Sequence, residues 1–384
     1  MTSEWRTIRA ADFIDFNPRL SLKKGDIATK VAMDKLKPFT KKIPETEKAE
    51  FNGGAKFCNG DTVMARITPC LENGKTAYVD MLDDGEIGFG STEFIVMRAK
   101  TGISDPQFVY YTAINPVFRN VAVKSMVGSS GRQRVQQSVL EELELSVPDL
   151  DEQRRIGDFL AKIDEKIALN DRINDNLADL LQTIYQGRFG NDILAVNQGV
   201  LSDICSYSTD KVAVSELNVR TYFSTENMLS GKAGSTEATS LPTTSQTTAC
   251  HKGDTLISNI RPYFKKIVYC ENKCGCSTDV LCFTPSQPQY SAYLFSTLYS
   301  DKFFAFMVAG SKGTKMPRGD KQQIMTYPVI LPSETALDEF NAIALPLIEE
   351  ISSNRAENKR LILLRDALLP KLMSGEIDVS AVQL

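Results

Sequence analysis

Two stretches of the chain carry apolar residues at alternating steps of four and three. The first follows Pro148 and aligns Ile156, Leu160, Ile163, Ile167, Leu177, Leu181 and Ile184. The second follows Pro332 and aligns Phe340, Ala344, Leu347, Ile351, Leu361 and Leu368. This spacing is typical of a coiled-coil seam. We predict two long helices, of which the second either kinks at Pro346 or begins as a separate short helix.

Asparagines fill the middle of both seams, at Asn170 and Asn174 in the first helix and at Asn354 and Asn358 in the second. A polar seam residue costs stability and fixes register. We predict an antiparallel pair with Asn170 opposite Asn358 and Asn174 opposite Asn354. The same register sets the other contacts: Ile167 opposite Leu361, Leu177 opposite Ile351, and Leu181 opposite Leu347. Alternatively, the asparagines are solvated and the pairing is set elsewhere.

The segments before the two helices repeat each other. Gly60-Asp61-Thr62 recurs as Gly253-Asp254-Thr255, Ser91-Thr92 as Ser277-Thr278, and Gly128-Ser129-x-Gly131 as Gly310-Ser311-x-Gly313. The order of the matches is the same in both halves, which indicates a duplication. We predict strands at 62–67 and 92–96 with counterparts at 255–260 and 280–283. One amphipathic helix is expected at 105–119, with its counterpart at 290–308.

The repeat and the helices together predict an α+β fold with two pseudo-symmetric domains joined by two long antiparallel coiled-coil helices. The domains occupy residues 1–147 and 191–331. The first helix occupies 148–190, and the second helix with a C-terminal tail occupies 332–384. A helix of about 35 residues is about 50 Å long. We expect the helix pair to act as a spacer that holds one domain at each end.

Charge and composition are compatible with DNA binding inside the cell. The net charge is −4, but both helical segments are net negative and both domains are net positive, so the total does not exclude nucleic acid. The polar N-terminus and the lack of a long apolar run predict a cytoplasmic protein without a secretory signal or membrane span. The eight cysteines are accordingly expected to be reduced.

Familiar catalytic and metal-binding patterns are missing from the sequence. It contains no G-x-x-x-x-G-K-[ST] phosphate loop and no adenine-methyltransferase tetrapeptide. The single histidine, His251, lacks an acidic partner in sequence. Asp149 with Asp164-Glu165-Lys166 mimics a metal-dependent nuclease pattern, although an exposed acidic helix face explains it. The four cysteines between 270 and 282 lack the paired C-x2-C spacing of structural zinc sites, so we expect no catalytic residues and no metal.

Two basic, glycine-rich clusters at equivalent places of the repeat are candidates for phosphate contact. The first comprises Arg119, Lys124, Ser129, Ser130, Arg132 and Arg134, and the second comprises Ser311, Lys312, Lys315, Arg318 and Lys321. Further candidates follow the strands at 62–67 and 255–260: Arg66, Arg261, Tyr263, Lys265 and Lys266. These residues could reach base edges or phosphates. The alternatives are ordinary solvated loops and, for Tyr263, packing beneath its loop.

Several of these motifs resemble those of type I restriction–modification specificity subunits. The resemblance is carried by Val147-Pro148, Glu152-Gln153-x-x-Ile156, Gly90-Ser91-Thr92-Glu93-Phe94 and the closing Leu369-x-x-Leu372-Met373-Ser374-Gly375-Glu376-Ile377. It covers essentially the whole chain. Glu-Gln is absent after Pro332, and Pro346 is unusual, so the two helices need not engage partners equally.

The resemblance implies a non-catalytic, sequence-specific DNA-binding subunit. Its two target-recognition domains would each read half of a bipartite site, while the helices set the spacer and dock two methyltransferase subunits. Restriction–translocation subunits complete such complexes, and S-adenosylmethionine, ATP and Mg²⁺ bind to the partners. Alternatives are a specificity subunit of a type IIB-like system, a metal-dependent nuclease, or a coiled-coil scaffold without DNA affinity.

Overall fold

The computed structural model describes residues 5–129, 131–190 and 197–379. It forms two compact units. Unit 1 comprises Met1–Asn170 with Glu357–Leu384, and unit 2 comprises Asp171–Ala356. None of the helices within the described ranges is both long enough and apolar enough to cross a membrane.

Within residues 5–129 and 131–190, the first half of the chain contains ten strands and ends in a long helix. The strands are β1 (Arg6–Arg9), β2 (Ile14–Phe16), β3 (Ile27–Val31), β4 (Glu47–Glu50), β5 (Ala55–Phe57), β6 (Thr62–Ala65), β7 (Thr76–Tyr78), β8 (Gly88–Gly90), β9 (Phe94–Ala99) and β10 (Glu144–Val147). The helices are α1 (Ala10–Phe13), α2 (Pro106–Ile114), α3 (Pro116–Lys124), α4 (Gln137–Glu141) and α5 (Leu150–Phe189).

The second half, within its described residues, repeats this series. Its strands are β11 (Gln198–Val200), β12 (Cys205–Tyr207), β13 (Lys211–Ala213), β14 (Tyr222–Phe223), β15 (Gln246–Cys250), β16 (Thr255–Ser258), β17 (Ile267–Tyr269), β18 (Cys274–Cys276), β19 (Val280–Pro285) and β20 (Pro328–Ile330). Its helices are α6 (Leu201–Ile204), α7 (Ser291–Tyr299), α8 (Asp301–Ala309), α9 (Lys321–Met325) and α10 (Glu334–Met373).

The sheets of the two units share most of their topology. Strand order β2-β9-β6-β7 in unit 1 matches β12-β19-β16-β17 in unit 2, and the β1-β10 pair matches β11-β20. In the remaining sheet, β3 runs parallel to β8 and β14 runs parallel to β18. The edge differs, because β4 pairs with β3 whereas β13 pairs with β15. The duplication therefore preserves the sheet centres and changes one edge strand.

The long helices contribute to the core of each unit. In unit 1, Ile156 and Leu160 of α5 belong to the same buried cluster as Phe108 and Phe118. In unit 2, Phe340 of α10 belongs to the cluster formed around α7 and α8. Burial of these side chains in the cores stabilises both helices in addition to the contacts along their seam.

The expected helices at 105–119 and 290–308 are each two helices, so that prediction was wrong. In unit 1, Pro116 lacks an N–H and disfavours helical backbone at Asn115, which ends α2. The Asn115 side chain then accepts a hydrogen bond from the backbone N–H of Val117 and caps α3. In unit 2, Ser300 interrupts the pattern and its hydroxyl accepts from the N–H of Phe303 to cap α8.

The second long helix passes through Pro346 without a break, so a separate short first helix was also a wrong expectation. The four seam asparagines are buried rather than solvated. In unit 1, Asn170 Nδ2 donates to Asn358 Oδ1 at 2.9 Å. In unit 2, Asn354 Nδ2 donates to Asn174 Oδ1 at 3.1 Å. These are the pairings that the antiparallel register requires.

The apolar face of the second helix is offset from part of the predicted seam. Ile348 is buried while Leu347 is only half-buried, and Leu369 is buried while Leu368 is half-buried. Ile163 and Leu181 of the first helix are buried as a seam requires, and Ile167 and Leu177 are half-buried. The helix ends are therefore shaped by the units they pack into, as well as by the heptad pattern.

Candidate nucleic-acid interface

Each unit presents a glycine-containing hairpin loop at the same place in its fold. The first glycine loop is residues 127–134, and the second glycine loop is residues 312–318. Val127 and Arg134 exchange two backbone hydrogen bonds of 3.0 and 2.9 Å, and Lys312 and Arg318 exchange two of 2.9 Å. Reciprocal bonding of this kind closes the base of both loops.

Both loops are anchored to the segment that follows the central strand of their sheet. The N–H of Thr68 donates to Gln133 O at 3.0 Å, and the N–H of Arg261 donates to Pro317 O at 2.8 Å. Ile67 and Ile260 form isolated bridges with Arg134 and Arg318. The loops are therefore attached to the sheets by equivalent contacts.

An arginine–carboxylate pair braces each loop from its base. Arg134 contacts Glu93 at 2.6 Å, and Arg318 contacts Asp279 at 2.9 Å. The hydrogen bond from Arg134 lowers the pKa of the Glu93 carboxyl. The two arginine side chains remain 46% and 56% exposed. They can therefore hold the loop and still present positive charge to a ligand.

The structure corrects the alignment of the glycine motifs. The paired loop bases equate Gly128 with Gly313, because each follows the first residue of its loop base. Gly310, which the sequence pattern had matched to Gly128, instead caps the end of α8. Both loop glycines have positive φ, at 136° and 101°, a backbone conformation that favours glycine.

Exposed polar groups occupy the tips of the loops and the end of α3. Ser129, Arg132, Lys312 and Lys315 are exposed, and Lys312 pairs with Asp320 at 2.5 Å. Lys124 at the end of α3 is also exposed. Among residues 5–129, 131–190 and 197–379, no side-chain partner is found for Lys124, Arg132 or Lys315. These three cations of the predicted clusters are therefore the most available for a ligand. Ser130 lies outside the described residues.

Other predicted contact residues are engaged by the fold. Arg119 donates to Glu72 O at 2.6 Å and lies 5.2 Å from the ring of Phe39. Lys265 pairs with Asp301 at 2.9 Å. These partners favour a structural role for both side chains.

Three further predicted contact residues also have partners within the fold. Lys266 donates to Thr225 O at 2.6 Å, and burial lowers the pKa of its ammonium group. Lys321 lies 5.8 Å from the ring of Tyr207. The Ser311 hydroxyl donates to Val308 O at the end of α8.

Arginine and aromatic side chains flank the loops. Arg66 and Arg261 are half-buried, and each has a buried Nε without a hydrogen-bond partner in the described structure. Tyr263 does not pack beneath its loop, because it is 50% exposed. Its ring lies 4.8 Å from that of Phe264, which is 38% exposed. Phe264 was not among the residues predicted from sequence, although it directly follows Tyr263.

The repeated Gly-Asp-Thr motif has a structural role. Asp61 accepts from the N–H of Cys58 at 2.8 Å, and Asp254 accepts from the N–H of His251 at 2.7 Å. The following threonines are fully buried at the start of β6 and β16. The motif thus fixes the turn that leads into the central strand.

Two acidic residues of the nuclease-like pattern, Asp164 and Glu165, have different surroundings. Asp164 is buried against Arg365 at 2.6 Å and accepts from the Tyr111 hydroxyl at 2.6 Å. Glu165 on the same helix is exposed. A carboxylate neutralised by a buried arginine is a packing element, so this pattern does not assemble a metal site.

Five cysteines, Cys250, Cys270, Cys274, Cys276 and Cys282, share one buried cluster in unit 2. Cys250 faces Cys274 across the sheet, where unit 1 pairs Phe57 with Gly88. A Cβ on Gly88 would lie 2.6 Å from the Phe57 ring. Two thiols thus fill space that one phenyl ring fills in unit 1. No His, Cys, Asp or Glu group of the described ranges is arranged to hold a metal ion.

Comparison with known proteins finds a family whose sequence model matches part of the chain. Residues 3–178 match the sequence model of the type I restriction modification DNA specificity domain. This part of the chain is therefore similar to the DNA specificity domain of type I restriction–modification systems. The matched segment contains the first glycine loop, its Arg134–Glu93 brace and most of α5.

Individual specificity subunits align with part of the chain. It is 38% identical over 104 residues to the type I restriction enzyme EcoAI specificity subunit of Escherichia coli, covering 27% of this chain and 18% of that protein. It is 32% identical over 111 residues to the EcoEI specificity subunit of Escherichia coli, covering 29% and 18%. The alignments therefore span less than a fifth of these relatives.

The fold match extends over the whole chain. The crystal structure of the type I restriction–modification system S subunit from M. genitalium has a TM-score of 0.55 at 18% identity, covering 96% of both chains. The α+β arrangement of two repeated domains with two long helices is thus similar to the fold of that S subunit.

Proposed function

We propose that the chain is the sequence-specific DNA-binding subunit of a type I restriction–modification complex, in which each domain reads one half of a bipartite site. The observation that carries the proposal is the duplicated glycine loop, braced at its base by an arginine–carboxylate pair. Glycine permits close backbone approach to DNA, while exposed serine, lysine and arginine supply donors and charge for phosphate oxygens.

The exposed cations at the loops would supply part of the affinity. Arg132 in the first glycine loop and Lys315 in the second are solvent-accessible and could neutralise phosphates. Counterion release would then make binding fall steeply with salt, by a slope of about 0.9 per phosphate contact. Arg66, Arg261 and Tyr263 are better placed to distinguish bases, because each follows a central strand beside a loop.

The two long helices would set the distance between half-sites and dock two methyltransferase subunits. Each helix has 40 residues, which corresponds to about 60 Å or roughly 18 base pairs of duplex. The buried asparagine pairs would keep the register, and hence the spacing, constant. S-adenosylmethionine, ATP and Mg²⁺ would bind to the methyltransferase and restriction–translocation subunits, and this chain would be non-catalytic.

Salt-dependent DNA binding tests the proposal directly. Affinity of the purified chain or its complex should be measured at several salt concentrations for wild type and for Arg132→Ala and Lys315→Ala. Each variant should lower the salt slope by about 1. Lys24→Ala and Lys302→Ala remove the same charge from exposed positions outside the loops and should leave the slope unchanged.

A catalytic test separates the proposal from a nuclease. The purified chain, supplied with DNA, Mg²⁺, ATP and S-adenosylmethionine, should neither cut nor methylate. Cleavage by the chain alone would overturn the non-catalytic assignment. Affinity that does not depend on salt or on the loop residues would overturn the DNA-binding assignment.

A further inference from the structure

In unit 1, a buried lysine fills a pocket lined by tyrosines. The ammonium group of Lys41 lies 5.3, 5.4 and 5.0 Å from the ring centroids of Tyr78, Tyr110 and Tyr111. It also lies 3.3 Å from the Tyr111 hydroxyl. The ammonium group interacts electrostatically with three carboxylates, those of Asp164, Glu165 and Asp80. The site therefore combines aromatic faces with carboxylates, the chemistry that binds alkylammonium groups.

Unit 2 repeats most of this site. Tyr269 pairs with the first residue of β16 as Tyr78 pairs with the first residue of β6. Phe295 is the fifth residue of α7, as Tyr110 is of α2. The ring pairs have nearly the same geometry: Tyr78–Tyr110 centroids are 6.1 Å apart at 74°, and Tyr269–Phe295 centroids are 5.4 Å apart at 71°.

The acidic residues of the site are also repeated. Glu349 is the sixteenth residue of α10, as Glu165 is of α5. Glu271 follows Tyr269 by two positions, as Asp80 follows Tyr78. Both glutamates line a cavity of about 470 Å³, together with Tyr269 and Ser291. Asp164, however, is replaced by Ile348, which lines the cavity with an apolar wall.

The lysine of unit 1 has no equivalent in this cavity. Lys232, which follows the parallel strand β14, contacts Asp301 at 2.8 Å and lies 4.5 Å from the ring of Tyr299 instead. Within residues 5–129, 131–190 and 197–379, no lysine or arginine lies over the ring of Tyr269. Lys252 lines the cavity but is exposed. In unit 2, Tyr269, Glu271 and Glu349 thus line open space, whereas their counterparts in unit 1 surround an internal cation.

We propose that this cavity of unit 2 binds a primary alkylammonium group, as presented by a lysine side chain of another polypeptide. The aliphatic part of the side chain would lie along Leu345 and Ile348, and its ammonium group would lie against Tyr269 between Glu271 and Glu349. A free polyamine offers the same chemistry, and the experiment below separates the two sources. The inference does not depend on the proposed DNA binding.

Ring signals of ¹³C-tyrosine in the full chain provide the measurement, with Nα-acetyl-lysine N-methylamide as the probe. The Tyr269 signal should shift and saturate at millimolar concentration. The uncharged norleucine analogue should produce no saturating shift. Tyr78 is an internal control, because Lys41 already fills its site and its signal should stay constant.

Variants assign the response to the cavity. Glu349→Gln should weaken binding of the probe about two- to fivefold, whereas Glu350→Gln, one residue farther and also exposed, should not. Lys252→Ala should leave binding unchanged or tighten it. Lys41→Ala should make Tyr78 responsive. Equal shifts with the lysine and norleucine probes, or no saturating Tyr269 shift, would overturn the proposal even if the Tyr78 variant fails to fold.

The source of the ammonium group is settled by two further titrations. A partner lysine predicts that the probe no longer shifts Tyr269 once the chain is assembled with its partner subunits. A free polyamine predicts that spermidine binds more tightly than the lysine probe and that the response survives assembly. Either result supports an alkylammonium site, and the pair of titrations identifies its occupant.

Discussion

Replacing Arg365 by methionine should destabilise unit 1 far more than an ordinary surface change on the same helix. Its guanidinium contacts Asp164 at 2.6 Å, and both side chains are nearly buried, with exposures of 5% and 6%. Arg365→Met would leave the Asp164 carboxylate buried, with the Tyr111 hydroxyl as its remaining neutral donor. Removing one partner of a buried ion pair costs about 3–5 kcal/mol. We expect a loss of about 3 kcal/mol, because the Tyr111 hydrogen bond retains part of the stabilisation.

Urea unfolding followed by tryptophan fluorescence measures this loss in the appropriate unit. The single tryptophan, Trp5, packs against the core of unit 1. Arg360→Met provides the matched control, since Arg360 is exposed on α10 and its replacement should change the free energy of unfolding by less than about 0.5 kcal/mol. The double variant Asp164→Leu/Arg365→Met should recover most of the loss, because the Asp164 carboxylate is no longer left buried without its arginine. A loss below about 1 kcal/mol for Arg365→Met, or no recovery in the double variant, would refute the reasoning.

Three further predictions concern the loops and one strand edge. Gly128→Ala places a Cβ 2.9 Å from Arg132 O at a φ of 136°. It should cost about 1–3 kcal/mol of local strain and weaken DNA binding in a gel-shift titration, and binding equal to wild type would contradict a role for the loop backbone. Combining Arg132→Ala with Lys315→Ala should lower the salt slope by about 2, and a slope equal to wild type would contradict phosphate contact. Hydrogen bonds from Lys48 and Thr29 lower the pKa of Glu86 to about 2, below its ordinary value of 4.5. The ionised carboxylate therefore contributes stability above pH about 4.5, and this contribution disappears as the pH falls towards 2. Glu86→Gln should make the free energy of unfolding depend less on pH in that window, and an unchanged pH profile would contradict the prediction.

Local periodic signals account for the parts of the fold that the sequence predicted well. The heptad pattern extends over many turns, so it predicts both long helices, and the asparagines within it predict their own pairing. The duplicated motifs likewise predict two domains of one design. Pro116 shows the limit of periodicity, because the apolar pattern continues across it while the backbone does not.

Long-range contacts account for what the sequence did not predict. Asp164 and Arg365 are 201 positions apart, so the pattern of either helix alone does not reveal that the two side chains pair. The true alignment of the glycine loops depends on backbone pairing at their bases, which the Gly-Ser motif does not encode. The same is true of Lys41, whose burial against three tyrosines follows from the path of the 32–46 segment. Some lysines that the sequence predicted as DNA contacts, such as Lys265 and Lys266, have partners within the fold.

In the proposed function, the two units read separate half-sites and the helix pair sets the gap between them. The most direct test is to map methylated positions in DNA from cells that express this chain with the methyltransferase subunits of the proposed complex. The map is made for wild type and for a variant with one added heptad in both helices beside the asparagine pairs. Seven residues lengthen a helix by about 10.5 Å, so the account predicts two short half-sites whose gap grows by roughly three base pairs while both half-sites keep their sequence. A continuous target, or a gap that stays constant in the lengthened variant, would contradict it.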